Sequence, residues 1–184
     1  MPASQWKQVG QVIGEVEGAA AEFGLGLVFH PHVATFVETL LEVECLFEAL
    51  AATSVGLCLD TGHCVYGGGD PTEEARKYRS LPRYVHVKDV NAGVLGESRR
   101  NQLDFEGAVG AGVFCPIGEG CIDFNVFFRF LAEMQYSGWM VVEQDVIYGK
   151  GVVPPLESMR ASLDYLKKIV SKLDSAVVIP KPKA

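Results

Sequence analysis

The sequence is short of positive charge: 16 Lys and Arg stand against 23 Asp and Glu, for a formal net charge of -7. A surface of that sign cannot neutralise a phosphate backbone and is repelled by anionic lipid, so neither nucleic acid nor a membrane is an expected partner. Long apolar runs are lacking too. None approaches the roughly 20 residues of a membrane helix, and Met1 to Gly10 has no basic-then-apolar layout of a signal peptide, so a cytoplasmic location is expected. The five cysteines (Cys45, Cys58, Cys64, Cys115 and Cys121) are odd in number and include no CxxC pair, which speaks against a disulfide framework and a thiolate zinc site. They read as reduced, with Cys58 and Cys45 as small buried residues. Gly67-Gly68-Gly69 lacks the Gly-Lys-Ser/Thr ending of a P-loop and reads instead as a flexible active-site loop.

What is present is a regular alternation. With 48% hydrophobic residues the chain can bury a substantial core as one domain. Trp6, Val9, Val12, Ile13, Val16 and Phe23 recur at helical spacing up to a Gly24 stop, and Leu25 to Phe29 suits a strand buried on both faces. After His30-Pro31-His32 a second helix is expected, opened by a Thr35/Glu38 capping box and burying Phe36, Leu40, Val43, Phe47 and Leu50. Val55 to Leu59 repeats the strand signal and leads through Asp60-Thr61-Gly62-His63 to a helix capped by Asp70 with Pro71 at its first position. Arg83 to Val87 is the next strand. It carries His86 and is followed by Lys88-Asp89 and about thirty glycine-rich residues, a loop length that is usually functional. Asp123 caps a helix with Phe124, Phe127, Phe128, Leu131 and Met134 inward, Trp139 to Val142 is the last strand, and Leu156, Met159, Leu163, Leu166 and Ile169 share one side of the final helix. Residues 1–173 thus form the domain and 174–184 read as a flexible tail.

Strands alternating with helices imply about four βα units on a parallel sheet, whose reactive groups gather at the carboxyl ends of the strands. Asp60, His86 and Glu143 fall at three such ends, and His30 at the fourth. Carboxylate oxygen mixed with imidazole nitrogen suits a divalent ion such as manganese, cobalt, magnesium or zinc, with coordination positions left for substrate hydroxyls. Any one of these residues alone would more often be a helix cap or a satisfied core group; their coincidence favours a metal site. Lys88 and Asp89 can be read either as a surface ion pair or as groups facing a substrate, and Gly118-Glu119-Gly120 as a turn.

His30-Pro31-His32, Leu59-Asp60-Thr61-Gly62-His63, Val85-His86-Val87-Lys88-Asp89, Pro116 to Phe124 and Gly138 to Glu143 together resemble the C-terminal half of the xylose isomerase-like TIM-barrel superfamily of sugar isomerases and epimerases, with the inosose dehydratase branch nearest. The resemblance implies an α/β fold that is a partial (β/α)8 TIM barrel, matching strands five to eight and the helix before them. It implies metal ligation by Asp60, His86 and Glu143 and a substrate-facing role for His63. Many isomerases of the superfamily have a glutamate at the position of His30 and use it with the late glutamate to move a proton between two faces of a ketose; His30 therefore points toward a dehydratase. The expected activity is removal of a proton next to a carbonyl of a keto-polyol with loss of water. Glu143, His63 or His32 would be the base and a protonated histidine or Lys88 the acid, with His63, Lys88 and Asp89 on the substrate. Alternatives are a sugar isomerase or epimerase, a metal-dependent hydrolase, a repair endonuclease disfavoured by charge, and a non-catalytic half-barrel that binds metal or a partner. An open half-barrel would expose two strand edges, so a homo-oligomer or a complementing half-barrel is the expected partner besides a small polyhydroxylated substrate.

Overall fold

The computed structural model describes residues 1–147, 149–150 and 153–174, with residues 173 and 174 described by backbone alone. Four parallel strands form one sheet in the order β1-β2-β3-β6: β1 (Val28–Phe29), β2 (Gly56–Asp60), β3 (Pro82–Val87) and β6 (Trp139–Val142). Between them run α1 (Ala3–Glu22), α2 (Leu40–Ala49), α3 (Thr61–Tyr66), α4 (Pro71–Lys77), α5 (Ala92–Arg100), α6 (Phe105–Gly110), α7 (Phe124–Glu133) and, last, α8 (Pro155–Asp174). A two-stranded antiparallel ribbon, β4 (Asp89–Val90) with β5 (Phe114–Cys115), stands beyond the end of β3. Among the described residues no helix is long and apolar enough to cross a membrane.

Every residue of β2 is buried, as a central parallel strand requires. Leu57 and Leu59 meet Val85 and Val87 of β3 in a core closed by Val43, Leu46 and Phe47 of α2 and by Phe124, Phe127 and Phe128 of α7. A smaller core of Val90, Leu95, Val109, Val113 and Phe114 holds the ribbon against α5 and α6. The register that matters pairs Asp60 with His86 and His86 with Val141, after a slip between Leu57 and Cys58. It brings the carboxyl ends of three strands level.

Several elements differ from the sequence reading. The first strand is only two residues long. The capping box that forms is Thr39 with Glu42, not Thr35 with Glu38, so α2 starts at Leu40 and Phe36 is 83% exposed. Thr35 instead bonds the carbonyl of His32, a local turn that competes with helix initiation. The long glycine-rich stretch after Asp89 is structured as α5, α6 and the ribbon, and Gly67 to Gly69 is a tight turn bonded back onto α3 through the carbonyls of His63, Cys64 and Val65. On α8 it is Ser158, Ser162 and Ile169 that are buried, while Leu156, Met159 and Leu163 face out. The tail expected over 174–184 lies, except for residue 174, outside the described residues.

The pair Lys88-Asp89 divides. Both are fully buried, contrary to a surface ion pair. Asp89 turns away from the strand ends and accepts the backbone N–H groups of Gly118 and Gly120 at Oδ2 and of Val90 and Ile122 at Oδ1. Its carboxylate therefore anchors the 116–122 turn and is not available to a substrate. Gly120 packs against that carboxylate too closely to admit a Cβ.

Glu74, buried in the first turn of α4, has its carboxyl raised by that burial. A raised acid contributes stability that is present below its unfolded pKa and lost as pH rises through the folded one. Glu74→Gln is thus expected to raise the thermal midpoint at neutral pH, with the gain vanishing near pH ~4; a gain independent of pH in paired melts would refute this.

Candidate metal and catalytic site

Asp60 ends β2 and caps α3, its Oδ1 accepting the backbone N–H of His63 at 2.8 Å. The other oxygen, Oδ2, faces the open end of the sheet. Around it stand Lys88 Nζ at 3.4 Å, His30 Nε2 and His86 Nδ1 each at 3.5 Å, and His63 Nε2 at 3.9 Å. Burial by itself would raise this carboxyl; the imidazoles of His30 and His86 and the charge of Lys88 outweigh it and hold the group well below the usual carboxylate range. Asp60 is therefore an anion at any working pH.

His86, level with Asp60, comes from β3, and Glu143 follows β6, held there by its N–H to the carbonyl of Val87 at 3.1 Å. The Glu143 carboxylate touches His86 Nδ1 with Oε2 and accepts from Lys88 Nζ with Oε1 at 3.0 Å. Asp60 again acts on His86, raising its pKa through their contact. All four histidines converge here, with ring centroids 4.7 Å apart for His30 and His86 and 3.7 Å for His32 and His63.

Asp60 Oδ2, His30 Nε2 and His86 Nδ1 are buried without a formed hydrogen bond. These three polar atoms turn toward one another and are held by ion-pair contacts alone, an arrangement of donors that a cation can take up. Asp60, His86 and Glu143 each offer a ligand atom within 4.8 Å of the others, and His30, Asp60 and His63 do so as well. Two carboxylates with two imidazoles fit a hard or borderline divalent ion. Cys58 also reaches His30 and His86, but burial pushes its thiol up to about 12, which makes it a poor rival for the metal.

The remaining predicted residues take distinct places. His63 is buried and its pKa falls to about 3, chiefly through that burial, so its imidazole is neutral; Nε2 lies 2.9 Å from Lys88 Nζ and can only accept from that ammonium. His32 is half-buried, and its Nδ1 bonds the Val33 carbonyl at 2.7 Å. A carbonyl only accepts, so the proton sits on Nδ1 and the lone pair on Nε2 is free. Lys88 runs inward past Gly62, where a Cβ would strike its stem, and Thr61 Oγ1 clamps its backbone by bonding both its N–H at 2.9 Å and its carbonyl at 2.7 Å. Burial would lower the Lys88 pKa, but Asp60, Asp145 and Glu143 raise it and keep the ammonium charged.

Sequence reading missed three contributors. Asp145, two residues beyond Glu143, turns back to accept from Lys88 Nζ at 2.9 Å. Phe105 and Phe114 pack their rings 6.2 and 5.6 Å from that of His63 and wall one side of the cluster. Asp145 could have been noticed as a second acid directly after a strand-end glutamate; the phenylalanines lie in the stretch that reads as loop and gave no signal.

Comparison with known proteins adds a context. Residues 2–169 match the family model described as a xylose isomerase-like TIM barrel. The chain is 39% identical over 173 residues to an inosose dehydratase of Geobacillus kaustophilus, covering 94% of this chain and 56% of that protein. It is 38% identical over 141 residues to the rhizopine catabolism protein MocC of Rhizobium meliloti, covering 77% of this chain and 43% of that one. In fold it is similar to a xylose isomerase domain protein from Planctomyces limnophilus, with a TM-score of 0.68 at 18% identity over 91% of this chain and 55% of the other. The 3-keto-D-glucoside 4-epimerase YcjR from E. coli gives a TM-score of 0.65 at 19% identity, covering 91% of this chain and 56% of that one. The chain spans about half the length of the curated relatives it matches.

The buried anion at Asp60 is expected to hold the cluster together even without metal. Asp60→Asn keeps the cap but leaves Lys88 with less counter-charge, at a cost of about 2 to 3 kcal/mol. Because the Asp60 pKa is depressed, its contribution is present above the unfolded pKa and lost only as pH falls through the folded one. Urea unfolding at neutral pH with a chelator measures the difference, and equal stability of the two proteins would contradict it.

Proposed function

The chain belongs to the xylose isomerase-like TIM-barrel family, and we propose that it contributes the metal centre of a carbon–oxygen lyase acting on a keto-polyol of the inosose kind. The observation that carries this reading is the meeting of Asp60, His86 and Glu143 at the ends of three adjacent parallel strands, around buried polar atoms that make no hydrogen bond. The relatives named inosose dehydratase support the substrate class.

In this reading Asp60, His86 and Glu143 hold a divalent ion with His30 as a fourth ligand; manganese, cobalt, magnesium and zinc all suit the donor set. When bound, the ion polarises the substrate carbonyl and so acidifies the neighbouring C–H. Glu143 is committed on both oxygens, to Lys88 and to His86, and the acceptor nitrogen of His63 is taken by Lys88. That leaves His32 Nε2 as the free base, with its tautomer set by Val33. His32 takes the α-proton; the C–H electron pair becomes the new C=C as the C–O bond to the β-hydroxyl breaks. The oxygen leaves as water with a proton returned by the His32 imidazolium. Lys88, buried and held by three carboxylates and His63, keeps these groups in place, its charge balancing theirs. The imidazole of His30 on the first strand, where superfamily isomerases carry a second glutamate, favours elimination over two-sided proton transfer.

Purified protein analysed for bound metals and assayed for loss of water from inosose tests this directly. A divalent ion and turnover are expected, and Glu143→Gln is expected to lower kcat/KM about 100-fold or more. Bound metal with no turnover would reduce the chain to a metal-binding module, and wild-type rates in the variant would remove Glu143 from the site.

We further propose that the four βα units are the C-terminal half of an eight-stranded barrel and that a second copy of the chain closes it. Among the described residues each of β1 and β6 pairs with one neighbour only; Trp139 on β6 is 75% exposed, and Met140 on β6 and Leu156, Met159 and Leu163 on α8 are exposed as well. A two-fold axis along the barrel would set β6 of each copy against β1 of the other, all strands remaining parallel, and so remove both edges. Sedimentation equilibrium should return a dimer; a well-folded monomer at micromolar concentration would rule the pairing out.

A further inference from the structure

Beside the donor set already described stands a second one. His32, His63 and Asp145 each offer a ligand atom within 4.8 Å of the others, next to Asp60 and Glu143. A place so rich in donors would ordinarily draw an ion of its own, as two-metal centres do at spacings of about 4 Å. Here the Lys88 ammonium stands against two of the three donors, His63 and Asp145. Lys88 Nζ is 2.9 Å from His63 Nε2 and from Asp145 Oδ2, 3.0 Å from Glu143 Oε1 and 3.4 Å from Asp60 Oδ2. The ring of Phe114 closes the remaining side, its centroid 5.0 Å from Nζ.

The approach to this position is purpose-shaped by the local sequence. The Lys88 stem fills the slot left by the missing side chain of Gly62, and Thr61 holds the Lys88 backbone on both its N–H and its carbonyl. A fully buried lysine is rare unless paired, and this one faces three carboxylates at once. The charges are consistent: three carboxylates balance one ammonium and one divalent ion, with nothing left to attract a second.

We propose that the Lys88 ammonium is a built-in cation occupying a second metal position formed by His32, His63 and Asp145, and that it confines the centre to a single ion. The inference rests on the metal centre proposed above. It makes Lys88 a positioning and selectivity residue: its ammonium orients the neutral His63 and the carboxylates of Glu143 and Asp145 while excluding a second ion that would bind His32, the base. Removing the ammonium opens the position to a divalent ion, with a solvent anion carrying the surplus positive charge.

The test is a count of ions. Wild type, Lys88→Met and Lys88→Met/Asp145→Asn are saturated with manganese or zinc, desalted and analysed by inductively coupled plasma mass spectrometry. One ion per chain is expected in the wild type, two in Lys88→Met and one again in the double variant. Lys88→Gln, polar and of similar length, replaces Lys88→Met if the latter does not fold. One ion in both wild type and single variant overturns this inference and leaves the metal centre standing, as does a wild type with two. A wild type with none overturns the metal centre itself.

Discussion

A single carboxylate ties the strand ends of this protein together. Asp60 closes β2, caps α3 with one oxygen, and turns the other toward His30, His86, His63 and Lys88, which arrive from three further segments of the chain. Burial makes the ion costly, and the cost is met only because cationic and donor groups surround it. The positions of His63, Lys88 and Glu143 are legible as consequences of that one requirement. Lys88 must enter from β3 to neutralise the anion, Gly62 must lack a side chain to let it pass, and Thr61 must grip its backbone to aim it.

The parallel sheet supplies the geometry on which this electrostatic arrangement rests. Parallel pairing brings Asp60 level with His86, and the next pairing sets Glu143 just past the end of β6. Side chains at equivalent ends of adjacent strands lie about 4.8 Å apart along the hydrogen-bonding direction, the separation at which different strands can ligate one ion. The carboxylate of the Lys88-Asp89 pair works in the opposite direction. By collecting four backbone N–H groups, Asp89 folds the 116–122 turn against the ribbon and so helps hold Phe114 where it walls the histidines. Two adjacent charged residues on one short segment thus serve chemistry and architecture separately.

The two faces of the molecule are unequal. The centre of the sheet is a closed core, while β6 and the outward side of α8 present tryptophan, methionine and leucine to solvent. Among the described residues β1 and β6 are the two edges of the sheet.

Much of this was written locally. Asp70 with Pro71, Asp123 and Gly24 marked helix ends that the structure has, because capping and left-handed stops depend on residues within one turn. The strands of Val55–Leu59, Arg83–Val87 and Trp139–Val142 were readable to within a residue from their apolar runs, and with them the placement of Asp60, His86 and Glu143 at strand ends. Tertiary structure decided the rest. The capping box of α2 forms at Thr39 and Glu42, four residues beyond the Thr35 and Glu38 expected, while Thr35 turns back onto the carbonyl of His32. The outward side of α8 is as apolar as its sequence suggests, yet burial depends on what a helix meets, and periodicity names only a face. The burial of Lys88, the opposite fates of Lys88 and Asp89, and the return of Asp145 to the cluster all arise from contacts between segments far apart in the chain or past a strand end. Such contacts leave no local pattern, because their energy exists only once the sheet has brought the segments together.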